Sequence, residues 1–207
     1  MSNKVGKYDL IAKFYDKFDE YYETRIYNKM RSKYIKPIMD SNVLEIGVGT
    51  GKNLRYYNQS NNILAIDSSL KMLKEAKKKI FLLPEQNQKQ IKLRKISKNW
   101  NLKANFFSYI VASFVLCTNT DPSDLIRKIF HSLEPNGKLI LFEWIPPKKS
   151  TRLLVLKMLH PFLRYFLGVS VHRNHSLKYF SRNRWTLIKK EFFDSENVVI
   201  ILQKKAN

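Results

Sequence analysis

Three glycines separated by single residues follow an apolar run that contains a carboxylate, in the stretch VLEIGVGTG at residues 43–51. Glycine lets the backbone turn sharply and lets a ligand come close to it, because it has no side chain. A second carboxylate, Asp67, ends the next apolar run, NILAID at 62–67. Backbone N–H groups at such a turn can bind a carboxylate, and Asp67 can accept hydrogen bonds from both hydroxyls of a ribose. The pattern therefore predicts a site for a nucleoside that carries an amino-acid tail.

The glycine spacing separates this turn from the dinucleotide fingerprint. Gly47, Gly49 and Gly51 are spaced GxGxG, whereas the fingerprint GxGxxG would need a glycine where the chain has Lys52. The three glycines are half of the six in the whole chain. Such clustering argues against an ordinary strand-to-helix turn with no ligand, and favours a turn that a ligand approaches closely.

Strands that alternate with helices must position these residues. Apolar runs predict five strands, at 42–47, 62–67, 90–96, 106–116 and 138–144. Helices are predicted within 8–35, at 51–59, at 70–80 after a cap at Ser68 or Ser69, and after Asp121–Pro122, a cap followed by proline; EPNG at 134–137 is expected to be a turn. Near the C-terminus, the runs RWTLIKKEFF and NVVIILQKK flank DSEN and predict a hairpin.

This alternation predicts an α/β fold, a doubly wound and mostly parallel seven-stranded sheet with a terminal antiparallel hairpin. We expect one domain over residues 1–207, in which residues 1–36 form a helical lid. Ligands of such sheets bind beyond the carboxyl ends of the strands. The glycine turn, Asp67 and the segment after the fourth strand all fall on that edge.

Composition limits the compartment and the partners. The chain has 207 residues with 38 Lys and Arg against 17 Asp and Glu, a formal net charge of +21. This charge indicates a polyanionic neighbour, either nucleic acid or an anionic membrane surface, although an AT-rich genome would inflate lysine in the same way. One cysteine, no secretory signal and no apolar stretch of about 20 residues favour a cytoplasmic protein, with peripheral membrane attachment left open. No Cys/His cluster has metal-ligand spacing, so no metal is expected.

Several motifs in this order resemble the class I S-adenosylmethionine-dependent methyltransferases. They are YDLIAKFYD, VLEIGVGTGKN, ILAIDSS, SFVLCTNTDP and LEPNGKLILFEW. Within that superfamily the chain is most similar to the ubiquinone/menaquinone-biosynthesis type and to the phospholipid and thiol methyltransferases. The resemblance implies S-adenosylmethionine as the cofactor. It does not select the acceptor, because one such fold serves many substrates.

Site residues follow from this resemblance position by position. The cofactor's methionine end would be lined by Glu45 and the three glycines, and Asp67 would bind the ribose. The remaining implied contacts are Ser68 and Ser69 beside the adenine, Tyr8 and Tyr15 closing over the cofactor, and Val115, Leu116 and Cys117 beside the methionine portion and the acceptor. For Tyr8 and Tyr15, plain core packing is the alternative.

One position departs from the family pattern. Relatives have an acidic residue shortly after the third strand, where it contacts the adenine amino group, and the aligned residue here is Lys98. Lysine can only donate a hydrogen bond, as the adenine amino group does. Asn99, whose amide oxygen can accept, is therefore the residue implied at the adenine, unless backbone groups perform this role.

Acceptor chemistry in this superfamily needs few groups, since the sulfonium is already an activated donor. A base is required only when the acceptor loses a proton. Glu143, at the end of the fifth strand, and His172 are the candidate catalytic residues, with His175 as an alternative to His172. For the histidines, membership of a solvated basic face is the favoured interpretation, because Arg173 and Lys178 lie beside them. Cys117 is expected to pack rather than to act as a nucleophile.

Three function classes remain open from the sequence. The first is methyl transfer to a small molecule or a lipid-like acceptor, the second is RNA methylation, and the third is cofactor binding without activity. The first class agrees with residues 145–184, which contain nine Lys and Arg, no Asp or Glu, and the nearly apolar run RLLVLKMLHPFLRYFLG. This segment is predicted to be an acceptor cap that lies in a membrane interface, with a helix packed on the sheet as the alternative. The sequence leaves the oligomeric state unknown.

Overall fold

A single seven-stranded sheet organises the protein. The computed structural model describes residues 22–116, 118–119, 121–145, 158 and 176–206. Its strands are β1 (Asn42–Ile46), β2 (Asn62–Asp67), β3 (Ile91–Lys95), β4 (Phe107–Ser113), β5 (Leu133–Trp144), β6 (Trp185–Phe192) and β7 (Asn197–Lys204). They lie in the order β3-β2-β1-β4-β5-β7-β6. The first five strands are parallel, and β7 runs antiparallel to both β5 and β6, so the predicted fold class and terminal hairpin are confirmed.

Helices cover the sheet and begin where the sequence signals predict. They are α1 (Asn28–Tyr34), which continues a π-helical turn at Glu23–Tyr27, then α2 (Leu70–Ile80), α3 (Glu85–Gln90) and α4 (Pro122–Ser132). At the start of α2 the Ser69 hydroxyl accepts a hydrogen bond from the Met72 N–H at 3.1 Å. At the start of α4 the Asp121 carboxylate accepts from the Asp124 N–H at 3.1 Å. Both predicted caps are confirmed, and of the two candidate serines it is Ser69 that caps α2.

Each face of the sheet carries its own apolar core. Helices α1 and α2 cover one face, where Met30, Leu73 and Ala76 are buried with Val43 and Val111. Helix α4 covers the other face, and its Leu125, Ile126 and Ile129 are buried with strand residues that include Leu44 and Ile46. Because side chains alternate along a strand, Glu45 lies on the α1 and α2 face, between Leu44 and Ile46 of the opposite face.

The prediction of a helix at 51–59 was wrong. Only a three-residue 3-10 turn forms there, at Leu54–Tyr56. Gly51 begins the segment with φ +81°, and Tyr57 ends the turn in an extended conformation at φ −72° and ψ 138°. Tyr57 is buried and the Asn53 side chain bonds to the end of β1, so tertiary contacts hold this segment instead of helical hydrogen bonds.

The boundaries of two strands also differ from the sequence prediction. Strand β4 ends at Ser113 instead of residue 116, because Phe114 has φ +58° and turns the chain away from the sheet. Strand β5 begins at Leu133, and the stretch predicted to be a turn at 134–137 is an irregularity within it, where Asn136 has φ +63° and the register with β4 shifts. Helix α3 was not predicted.

Candidate functional site

The glycine turn is bonded to the end of β2. The Gly47 and Val48 N–H groups donate to the Ile66 carbonyl at 2.8 and 3.1 Å. The Gly49 N–H donates to Oδ2 of Asp67 at 2.9 Å. All three glycines have positive φ, at +70°, +55° and +81°. Such angles strain any residue that has a side chain, so the turn requires glycine for its backbone alone.

The three glycines have different surroundings. A Cβ at Gly47 would lie 2.5 Å from Cγ2 of Val115, and a Cβ at Gly51 would lie 3.1 Å from Cα of Ala76 on α2. At Gly49 the nearest atom would be the Gly47 carbonyl oxygen at 4.0 Å. Packing therefore excludes side chains at Gly47 and Gly51, whereas the space above Gly49 is open. A ligand can approach the backbone of the turn there.

Asp67 joins the turn to helix α2. Its Oδ2 accepts from Gly49, and its Oδ1 accepts from the Ser69 N–H at 2.8 Å. Both oxygens of this carboxylate therefore accept backbone hydrogen bonds, and a carboxylate can accept about four in all. Asp67 is half-buried and Ser68 is exposed, whereas Ser69 is fully buried beneath them. The carboxylate is thus fixed in orientation at the carboxyl edge of the sheet.

Glu45 is a buried carboxyl group one residue before Ile46, the last residue of β1. It is 1% exposed, and its Oε1 accepts from Nδ2 of Asn53 at 2.9 Å. Its Oε2 is buried and accepts no regular hydrogen bond from the residues that the structure describes. Burial raises the pKa of Glu45 to about 7, although polar contact with Tyr57 and Asn53 and the positive charge of Arg31 each lower it.

Comparisons with known proteins identify the domain. Residues 44–141, from β1 to β5, match the family model described as "Methyltransferase domain". The mitochondrial methyltransferase OMS1 of Saccharomyces cerevisiae is 30% identical over 148 residues, which are 64% of this chain and 31% of that protein. The ubiquinone/menaquinone biosynthesis C-methyltransferase UbiE of Wigglesworthia glossinidia brevipalpis is 30% identical over 116 residues, which are 52% of this chain and 44% of that protein.

A third relative and a solved structure cover more of the chain. The thiol S-methyltransferase TMT1B of Rattus norvegicus is 25% identical over 82% of this chain and 70% of its own. The crystal structure of a SAM-dependent methyltransferase from Aquifex aeolicus has a TM-score of 0.65 at 15% identity, over 95% of this chain and 98% of that chain. Residues 44–141 therefore form a methyltransferase domain, and the fold around it is that of the class I S-adenosylmethionine-dependent methyltransferases. It spans less than half the length of the yeast and Wigglesworthia relatives.

S-adenosylmethionine is the cofactor of this methyltransferase domain, and the residues present fit it. The buried Oε2 of Glu45 can accept from an ammonium donor. The open backbone at Gly49 suits a group that needs N–H donors, and a carboxylate fixed in orientation, as that of Asp67 is, suits ribose hydroxyls. Glu45, the glycine turn and Asp67 lie along the same edge of the sheet, and their roles toward the cofactor stay predictions.

Other predicted site residues are more scattered. Val115 is half-buried against Gly47, whereas Leu116 is buried in the core on the α4 face. Asn99 is exposed in the segment after β3. Glu143 is 2% exposed. It lies two residues after Leu141 on β5 and therefore shares the α4 face with it, opposite to Glu45. The roles assigned to these residues stay predictions.

Several predictions fall outside the described residues. They concern Tyr8, Tyr15, Cys117, His172, His175 and most of the cap at 145–184. Within the ranges that are described, no helix has the length and apolar character needed to cross a membrane. No group of three or more His, Cys, Asp and Glu side chains in those ranges could hold a metal ion.

Sequence reasoning missed the side chains that support Glu45. Asn53 bonds both to Glu45 and to the Ser113 hydroxyl, the latter at 3.0 Å, and Arg31 bonds to Asn53. Tyr57 lies beside the same carboxyl group, and burial together with the charge of Glu45 raises the pKa of its phenol well above the usual value. The only signal was a polar Asn53 two residues after the glycine motif, and it was interpreted as part of a helix.

Proposed function

We propose that the protein transfers the methyl group of S-adenosylmethionine to a small-molecule or lipid-like acceptor, such as a phospholipid headgroup, a quinone or a thiol. The observation that carries this proposal is the edge formed by Glu45, Gly49 and Asp67, which offers an acceptor, open backbone donors and a second acceptor in sequence. These groups match the ammonium, carboxylate and ribose of the cofactor in number and kind.

The names of the relatives support this class of acceptor. One relative is named for C-methylation in quinone biosynthesis and another for S-methylation of thiols. Identities of 30% and 25% agree with a shared reaction type and with divergent acceptors. The proposed acceptor class is therefore broader than the quinone precursor or the thiol for which these relatives are named.

The chain's own contribution to the reaction is binding and orientation. When bound, the cofactor supplies a methyl group on a sulfonium, which is activated without help from the protein. Asp67 and the glycine turn would fix the cofactor along the sheet edge, while Glu45 would hold its amino-acid end. The cofactor would supply the methyl group to an electron pair of the acceptor, the pair of the broken bond would stay on sulfur, and an acceptor that carries a proton would release it to water. Alignment of the acceptor with that bond is the main requirement on the protein.

The side chains next to this edge suit an acceptor with an apolar part. Phe114 directly follows β4, and its ring lies 4.9 Å from that of Tyr27, centroid to centroid. Tyr22 stacks on Tyr27 at 6.0 Å. Ser113, the residue before Phe114, shares the Asn53 amide with Glu45. An aromatic wall therefore begins beside the group proposed to hold the methionine end.

A methyl-transfer assay tests the proposal. Methyl-labelled S-adenosylmethionine is incubated with the protein and with separate lipid, quinone, thiol and RNA fractions, and label is expected in one of the first three. Asp67→Ala is expected to weaken binding of S-adenosylhomocysteine by about 1–3 kcal/mol, since its hydroxyl partners lose their acceptor. Asp124→Ala, which removes a partly exposed carboxylate on α4 that pairs with Arg127 and Lys128, is the matched control and should bind normally.

The other outcomes of the assay are equally specific. Label in RNA alone would replace the proposed acceptor class with nucleic acid, which the net charge of +21 favours. Binding of S-adenosylhomocysteine with no transfer to any fraction would indicate a cofactor-binding protein without activity. Unchanged affinity in Asp67→Ala would remove Asp67 from the cofactor site.

A further inference from the structure

A buried chain of polar contacts connects the N-terminal helical segment to Glu45. Arg31 on α1 is 5% exposed, and its Nε donates to Oδ1 of Asn53 at 2.5 Å. Asn53 is 4% exposed and donates from Nδ2 to Oε1 of Glu45. The other end of the Arg31 guanidinium forms an ion pair with Glu23 in the π-helical turn. One residue, Asn53, thus lies between Arg31 of the N-terminal helical segment and the Glu45 carboxylate.

The donor at Arg31 determines which way the Asn53 amide faces. Arginine has only donors, so the atom of Asn53 that faces it must be the amide oxygen. The amide nitrogen then points to Glu45 and to Ser113, both of which can accept. A flipped amide would place two donors against each other and two acceptors against each other. Arg31 therefore sets the direction of the hydrogen bond that Glu45 receives.

Positive and negative side chains alternate around the contacts that link Arg31 to Glu45. Glu23 pairs with Arg31 and also lies 3.3 Å from Nζ of Lys52, the residue after the glycine motif. The titratable groups that act on Glu45 are Arg31 from α1, Tyr57 from the segment after the turn and Asp67 from β2. Of these, Arg31 favours the ionised form of Glu45 by its charge, and Asp67 opposes it.

We propose that Arg31 is a positioning residue for the amino-acid end of the cofactor, which acts through Asn53 to keep the Glu45 carboxylate ionised and correctly oriented. The inference rests on the proposed function, because it assumes that Glu45 meets the cofactor's ammonium group. It adds that the N-terminal segment controls this contact from a distance. Arg31 itself touches neither the cofactor nor the acceptor in this scheme.

A pH dependence of cofactor binding follows from the geometry. An ammonium group binds a carboxylate and not a carboxylic acid, so binding releases any proton that Glu45 carries. With the pKa of Glu45 at about 7, affinity should rise with pH through neutrality and level off above it. Well below that pKa the affinity should fall by about tenfold per pH unit. Tyr57 stays protonated throughout, since burial and the Glu45 charge raise its pKa.

Calorimetric titration with S-adenosylhomocysteine between pH 5.5 and 8 tests the inference on the full chain. Glu45→Gln should bind more weakly, with a flat profile. Arg31→Met should move the rising part of the affinity–pH profile to higher pH, because the cation that lowers the Glu45 pKa is gone. Arg31→Lys should restore most of this shift through its charge. Arg55→Met is the matched control, since Arg55 lies 3.9 Å from Glu23 but is exposed and has no contact with Asn53 among its described bonds.

Each result supports or overturns the inference. If the rise of affinity with pH is unchanged in Arg31→Met, Arg31 has a structural role only, and the proposed function stays intact. Should Arg31→Met fail to fold, Asn53→Ala removes the middle of the chain and should weaken affinity and displace the rise in the same direction. An unchanged rise there would overturn the inference equally. No binding by the wild type at any pH would instead contradict the proposed function.

Discussion

Gly47 and Gly49 lie two residues apart in one turn, yet a side chain would be disfavoured at the two positions for different reasons. Both have positive φ, so an alanine at either position is strained by about 1–2 kcal/mol. Only at Gly47 does the added Cβ meet an atom, Val115 Cγ2 at 2.5 Å. The open space at Gly49 is where the proposed cofactor approaches the backbone. The same substitution should therefore damage stability at one position and binding at the other.

We expect Gly47→Ala to lower the free energy of unfolding by about 1–3 kcal/mol more than Gly49→Ala does, because overpacking adds to the backbone strain. Gly49→Ala should lose more affinity for S-adenosylhomocysteine than its modest loss of stability explains. Urea unfolding and calorimetric titration of the two variants measure both effects. Equal losses of stability would show that Val115 moves aside without cost.

Helix α4 begins at Asp121–Pro122, shortly after the end of β4, on the edge of the sheet where the proposed cofactor site lies. The structure gives Asp121 a local task, because its carboxylate caps the helix through the Asp124 N–H. Asp121→Ala should destabilise the protein by about 1 kcal/mol in urea unfolding, and Asp121→Asn should be close to wild type. Methyl transfer should be unaffected in both. Loss of transfer at unchanged stability would assign Asp121 to the reaction.

Elements whose signals lie within their own residues were predictable from the sequence. Strands β1, β2 and β3 and helix α2 follow from apolar periodicity and a serine cap, and the glycine turn with Asp67 follows from residue types and spacing. The segment after Gly51 was not, since its polar and aromatic residues suit a helix as well as a loop. Its conformation depends on Asn53 contacts with Glu45 and with Arg31, which is 22 positions away. Sequence spacing gives no signal for such contacts.

At the scale of the whole molecule, the net charge of +21 indicates a polyanionic partner. The basic and apolar segment at 145–184, proposed as an acceptor cap, would place that charge against an anionic lipid surface. Each lysine or arginine near such a surface contributes about 1 kcal/mol of attraction, and salt screens it. The apolar side chains of the same segment would enter the interface.

Liposome flotation tests this placement. The protein should float with anionic vesicles at low salt and be released at high salt. Leu156→Glu combined with Leu163→Glu should abolish flotation and leave the circular dichroism unchanged. Neutral vesicles serve as the control for charge. A wild-type protein that ignores vesicles but retains RNA on a filter would contradict the membrane placement and favour nucleic acid.

The positive charge also affects the two edge strands of the sheet, β3 and β6. An exposed edge presents unpaired backbone groups on which the edge of another copy can add, the first step of aggregation. Strand β6 is at particular risk, because Leu187, Ile188 and Phe192 are each about half exposed. Lys189 and Lys190 interrupt that apolar run, and exposed Lys92, Arg94 and Lys95 stand along β3 at the opposite edge. Like charges on both edges keep copies apart, so a polyanion that neutralises them would also remove this protection.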